Sequence, residues 1–157
     1  GGKIGFWDYD VSFAGDRGAE LFYDVPNTRM RVRGSWRGAG SDAHRFAVGP
    51  WRAPGANMNV FARESQIDVM AAKAGVDPVE FRLKHLADAR MVRVLKAAAD
   101  RFGWSPKAAP SGRGVGVALA VDVGSYVASM AEVRVDRAAA RVLVARPLRA
   151  PLTGGAV

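Results

Sequence analysis

The chain has 157 residues, with 23 lysines and arginines against 15 aspartates and glutamates, giving a net charge of +8. Hydrophobic residues make up 49%, enough for one domain to bury a core and too many for a disordered chain. The lack of cysteine excludes disulfides, iron–sulfur ligation and thiolate zinc within this sequence, and no apolar run reaches the roughly 18 residues of a transmembrane helix.

The basic balance suggests an anionic partner: nucleic acid, an acidic subunit or a phosphate-bearing ligand. Gly1 is not an initiator methionine, so the chain is expected to be an excerpt of a longer one. No secretory leader is visible, and nothing in the sequence sets a compartment. His44 and His85 lie far apart and share no metal-ligand spacing, so a zinc enzyme is not expected.

In chain order, residues 1–13 alternate loosely and carry Phe6, Trp7, Tyr9 and Phe13, which reads as a strand. Residues 20–23 and 29–32 read as two further extended pieces, broken by Val25-Pro26-Asn27. Arg29, Arg31 and Arg33 would share one strand face; with Arg37 they are the densest basic patch. Residues 34–46 are rich in Gly, Ser and Asp and should be irregular. Helical spacing then dominates to Gly103.

A first helix is expected over 57–74, with Met58, Phe61, Ala62, Ser65, Val69 and Ala72 on one buried face, widened by Ile67, Met70, Ala71 and Ala74. A second is expected over 78–86, with Asp77 as N-cap, Pro78 at the first position, Glu80 completing a capping-box-like start and Val76 and Phe81 as a staple. A third, over 89–102, is capped by Asp88 and repeats Met91, Leu95, Ala98 and Phe102. Beyond a Pro/Ser/Gly connector the period changes from 3.6 to 2. Strands are expected from 113, over 126–135 and over 142–145, as an antiparallel meander. The fold class is therefore α+β, central helices flanked by antiparallel strands. The tail 147–157 has no period and is expected to be poorly ordered.

The chemistry concentrates in Gly49-Pro50-Trp51-Arg52-Ala53-Pro54-Gly55, a Gly/Pro loop feeding the first helix. Free N–H groups and the helix dipole favour an anion there, and the Arg52 guanidinium could pair with phosphate or carboxylate. Trp51 could line a flat pocket or plug a core. Asn57 and Asn59 could donate to a ligand or act as caps. Glu64 and Asp68 share a helical face and could be paired acids, although with Arg63 and Lys73 nearby a solvated or salt-bridged face is expected. The same caution applies to Asp8 and Asp10. His44, beside Asp42 and Arg45, has nothing specific behind it. Gly112-Arg113-Gly114-Val115-Gly116 precedes a strand and is no dinucleotide fingerprint.

Taken together, Tyr23-Asp24-Val25-Pro26-Asn27, Trp51-Arg52-Ala53-Pro54-Gly55-Ala56-Asn57, Glu64-Ser65-Gln66-Ile67-Asp68 and Gly75-Val76-Asp77-Pro78-Val79-Glu80-Phe81-Arg82-Leu83 resemble the molybdopterin-binding large subunit of the xanthine dehydrogenase/aldehyde oxidase family, in the branch of isoquinoline 1-oxidoreductase and nicotinate dehydrogenase. Gly112 to Ala118 and Glu132 to Asp136 fit the same branch. The resemblance covers 1–146, which it implies is a partial molybdopterin-binding domain; 147–157 diverges from it, as truncation or a changed reading frame would cause.

What the resemblance implies is a molybdenum hydroxylase, which oxidises an aldehyde or N-heteroaromatic ring with oxygen from water and passes electrons to an iron–sulfur small subunit or domain. The loop at Trp51, Arg52 and Ala53 then belongs to the molybdenum–molybdopterin cofactor site, and Pro54 faces substrate. The family's upstream glutamine segment and its C-terminal Gly-Glu segment, which carries the general base, have no match here. Hence no catalytic residue is assigned, and the chain alone is expected to be inactive and not to retain the cofactor. Relatives usually have Thr-Gly where this chain has Ala139-Ala140. No nucleic-acid partner is expected on this reading; the alternatives are a non-catalytic basic nucleic-acid-binding module and a truncated gene remnant.

Overall fold

A computed structural model describes residues 2–34, 51–105 and 112–152. In chain order these form β1 (Trp7–Ser12), β2 (Thr28–Arg33), α1 (Ala56–Ala74), α2 (Pro78–Lys84), α3 (Ala89–Phe102), β3 (Arg113–Asp122), β4 (Ser125–Asp136) and β5 (Arg141–Leu152). The α+β class and the three central helices follow the sequence expectation.

The helix ends form where their capping chemistry lies. The Asp77 carboxylate accepts from the N–H groups of Val79 and Glu80, at 2.9 and 3.1 Å, and from Trp104 Nε1 at 2.9 Å. One side chain thus caps α2 and ties it to the end of α3. Asp88 caps α3 through the Arg90 N–H at 2.7 Å. Gly75 and Gly103 close α1 and α3 in the left-handed conformation, as helix C-termini favour.

Met91, Leu95, Ala98 and Phe102 of α3 are all buried. They pack with Val117, Leu119, Tyr126, Ala128 and Met130 on one face of the antiparallel sheet β3-β4-β5. The β3–β4 turn is the pair Val123-Gly124, both at positive φ. The β5 strand runs well past the expected 142–145. It takes in residues 147–152, which the sequence places in a poorly ordered tail; 153–157 lie outside the described residues. Leu148 and Ala150 explain the extension, because they stand opposite Met130 and Ala128 in the ladder. Pro147 and Pro151 are tolerated because β5 is an edge strand.

Two expectations for the N-terminal part are corrected. Residues 20–23 form no strand. The flanking strands are not all antiparallel, because β1 and β2 pair in parallel, Trp7 opposite Thr28 and Ser12 opposite Arg33. Parallel pairing needs a long crossover, and residues 13–27 supply it by looping past the start of α1 before returning. The segment ahead of β1 is held by His85. The Ile4 N–H donates to Nε2 at 2.9 Å, and Nδ1 lies 2.7 Å from the Phe81 carbonyl. These partners assign the neutral tautomer with the proton on Nδ1.

Candidate functional site

The described part of the Gly/Pro loop, residues 51–55, lies at the N-terminus of α1. Gly49, Pro50, Arg37 and His44 fall outside the described residues. Trp51 is 84% exposed, Arg52 and Ala53 are exposed and Pro54 is half-buried. No core plugs with Trp51.

The loop is anchored from behind. Gly55 has φ 72°, and a Cβ there would stand 2.5 Å from the Ala14 carbonyl oxygen, so only glycine fits. Gly18 packs reciprocally: its Cβ would meet Ala56 Cα at 2.8 Å. Asn59 completes the anchor. Its Nδ2 donates to the carbonyls of Gly15 and Arg17, both at 3.0 Å, and its Oδ1 accepts from the Tyr9 hydroxyl at 2.9 Å.

Among the described residues, little meets the front of the loop. The N–H groups of Asn57, Met58 and Asn59 are taken up by Ala53 and Gly55 carbonyls, and Asn57 Oδ1 accepts from Met58 N at 2.9 Å. The N-cap is therefore Gly55, with Asn57 turned inward on its own helix. Among the described residues, the N–H groups of Arg52, Ala53, Gly55 and Ala56 meet no backbone acceptor, and the Arg52 guanidinium meets no partner. The first turn of α1 carries no acid. A donor-only set of guanidinium, N–H groups and helix dipole, held against a rigid back, fits the anionic edge of a bound group. No group of three or more His, Cys, Asp or Glu among the described residues could hold a metal ion.

Behind the loop lies a polar network that sequence reasoning missed. The face of α1 expected to be buried is largely outside: Met58 is 63%, Phe61 74% and Val69 45% exposed. The buried face carries Asn59, Arg63, Glu64, Ile67 and Ala71. Arg63 Nη1 donates to the carbonyls of Gly18 and Glu20, at 2.7 and 2.9 Å, and its guanidinium lies over the Phe22 ring.

Glu64 accepts from Arg63 Nε and Arg82 Nε, both at 3.1 Å, from the Tyr23 hydroxyl at 2.9 Å and from the Leu119 N–H at 3.0 Å. Arg82 also reaches Asp68 at 2.6 Å. Burial, and then the Glu64 charge, push the Tyr23 hydroxyl well above its ordinary pKa. The expected ion pairing of Glu64 and Asp68 is therefore present, but Glu64 is sealed from solvent. One carboxylate joins α1 to the 20s segment, α2 and β3. The signal in the sequence was the adjacent Arg63-Glu64 with Arg82 one element later; apolar periodicity cannot register it.

The arginine strand face is compensated. Arg29 pairs with Asp8, and Arg31 and Arg33 reach Asp10 at 2.9 and 3.3 Å. The hydrogen bond from Arg29 holds the Asp8 carboxyl below its ordinary range. This is the salt-bridged face expected around Asp8 and Asp10. A cavity of about 540 Å³ lies between Arg17, Phe22, Arg63, Asp88 and Tyr126; residues 51–54 are not part of its lining. No helix among the described residues is long and apolar enough to cross a membrane.

Comparison with known proteins gives this geometry a family context. The chain is 36% identical over 149 residues to a nicotinate dehydrogenase subunit of Pseudomonas putida, a match covering 84% of this chain and 12% of that protein. It is 31% identical over 132 residues to the beta subunit of isoquinoline 1-oxidoreductase of Brevundimonas diminuta, covering 82% of this chain and 16% of that one. Over 74 residues it is 35% identical to PaoC, the molybdenum-binding subunit of an Escherichia coli aldehyde oxidoreductase, covering 40% of this chain and 10% of PaoC. The chain thus spans only a small part of the length of the curated relatives it matches. No protein-family model matches it.

Proposed function

We propose that this chain, which belongs to the molybdenum hydroxylase large-subunit family, supplies one wall of a molybdenum–molybdopterin site, with residues 51–55 as the contact. The observation that carries the reading is the loop itself, rigidly backed by Asn59 and Gly55 and, among the described residues, without partners in front. When bound, the cofactor supplies the oxidising metal centre at which water-derived oxygen is transferred to carbon.

The chain's own residues bind and orient. The Arg52 guanidinium and the N–H groups of Arg52, Ala53, Gly55 and Ala56 hold the anionic edge. Trp51 offers a flat apolar shelf beside it, and Pro54 borders the substrate. Asn59 and the Glu64 network keep α1 in register, so that the loop meets the cofactor without rearranging.

Neither Glu64 nor Glu132 serves as the general base. Glu64 is locked by four donors, and Glu132 pairs with Arg113 and Arg146. The base and the remaining walls belong to sequence outside 1–146, in a larger protein of which this chain is one segment. The complete protein oxidises an aldehyde or an N-heteroaromatic ring, and its electrons leave through an iron–sulfur small subunit or domain.

Two measurements test this. The 157-residue chain alone should oxidise neither substrate class; turnover by it would sink the claim that the base lies elsewhere. Placed in the complete large subunit, Arg52→Ala should lower the pterin and molybdenum content of the purified protein with thermal unfolding unchanged. Wild-type content in that variant would remove Arg52 from the cofactor site.

A further inference from the structure

Two side chains of α1, one turn apart, hold the carbonyls of the crossover segment. Asn59 takes those of Gly15 and Arg17, and Arg63 takes those of Gly18 and Glu20. The 51–55 loop rests on that segment, since Ala14 crowds Gly55 and Gly18 crowds Ala56. Each holding side chain has a keeper of its own. Arg63 is kept by Glu64, and Asn59 is kept by Tyr9.

Asn59 is buried, so its amide has to be satisfied inside the fold. The two carbonyls occupy both Nδ2 hydrogens and thereby assign the orientation of the amide. Its Oδ1 receives the Tyr9 hydroxyl at 2.9 Å, the one side-chain donor it meets among the described residues. Tyr9 stands on β1 between Trp7 and Val11, which are buried on the same side of the strand. The hydroxyl is therefore delivered from a fixed point. Burial raises its pKa, which keeps it protonated and donating. Phenylalanine in its place would leave Oδ1 buried without a donor. The amide could then reach another donor only by turning Nδ2 away from Gly15 and Arg17, which would free the segment behind Gly55.

We propose that Tyr9 is a positioning residue for the cofactor. Through Asn59 and residues 14–18 it fixes where the 51–55 loop presents Arg52 and its N–H groups. The inference rests on the cofactor reading of that loop. It uses only contacts made inside this chain, so it holds whatever covers the chain's surface in the larger protein.

The first test is amide hydrogen exchange on the full chain with Tyr9→Phe, which removes the hydroxyl and keeps the ring. The N–H groups of Met58 and Asn59, both bonded to the Gly55 carbonyl, should exchange about tenfold faster relative to those of α3. The second uses the complete large subunit. There Tyr9→Phe should lower pterin and molybdenum content about threefold or more. Adding Tyr9→Phe to Asn59→Ala should lower it no further, because the hydroxyl acts only through Asn59. Tyr126→Phe, which removes a hydroxyl bonded to Asp88 instead, should leave the content unchanged.

Equal acceleration of exchange in α1 and α3 would make the hydroxyl a general stabiliser and overturn the proposal, as would no acceleration at all. A double variant holding less cofactor than Asn59→Ala alone would show that Tyr9 acts by another route, and also overturns it. If Arg52→Ala loses cofactor and Tyr9→Phe does not, the cofactor reading stands and the positioning role falls. If Arg52→Ala keeps wild-type content, the cofactor reading fails and takes this inference with it.

Discussion

α3 and α1 are both long helices with an apolar repeat, yet they obey the repeat to different degrees. In α3 every residue of the expected stripe, from Met91 to Phe102, is buried. In α1 the stripe of Met58, Phe61 and Val69 faces out, and Arg63 and Glu64 face in. The difference lies in what each helix packs against. α3 meets the pleated face of a sheet, whose backbone groups are already paired and which offers only apolar side chains. α1 meets the irregular 14–22 segment, whose carbonyls have no ladder to join and must be satisfied by side-chain donors. Asn59 and Arg63 are those donors, and Glu64 balances the charge that Arg63 and Arg82 bring inside. A helical repeat therefore identifies the inner face only where the neighbouring element has no unmet hydrogen bonds.

Four substitutions break or sharpen that contrast. The largest effect is expected on the inner face of α1. Glu64→Gln leaves Arg63 and Arg82 buried without their shared counter-charge and should cost about 3–5 kcal/mol, read from urea unfolding. A loss under about 1 kcal/mol would mean that the network is dispensable. On α3 the matching change is Leu95→Ala, a purely apolar deletion at a fully buried site, which should cost about 2–5 kcal/mol with no dependence on salt or pH.

The third concerns the cap of α3. Burial opposes ionisation of Asp88, but hydrogen bonds from the Arg90 side chain, the Tyr126 hydroxyl and the Arg90 N–H outweigh it and hold the carboxyl at about 2. A lowered carboxylate pKa stabilises the fold above the ordinary value near 3.8, and that contribution is lost as pH falls toward 2. The stability gap between wild type and Asp88→Asn should therefore be widest near neutral pH and close between about pH 4 and 2. A gap that stayed constant across that range would show that the carboxylate charge contributes nothing.

The smallest effect is expected on the outer face of α1. Phe61→Gln should change the stability of the isolated chain by no more than about 0.5 kcal/mol, although its position in the repeat reads as core. A loss of several kcal/mol would restore the conventional orientation of α1.

How much of the molecule was legible in the sequence follows from the same contrast. Local chemistry was enough for the ends of α2 and α3, because Asp77-Pro78 and Asp88 cap whatever lies downstream, and for the α3 stripe and the β3–β4 meander. The Trp51–Gly55 loop stands out in the sequence as a candidate through its Gly/Pro framing and its single arginine. Its anchor does not, since Asn59 and Gly55 meet Ala14, Gly15 and Arg17 only after residues 13–27 have crossed over.

By itself the sequence determined the α+β class, the helix boundaries and the loop that presents Arg52, because these depend on residues within a few positions of one another. Tertiary structure alone decided that β1 and β2 run parallel and that Glu64 sits at the centre of a closed ion network. Those outcomes depend on which distant backbone groups need partners and which surfaces already have them, and a one-dimensional pattern does not record either.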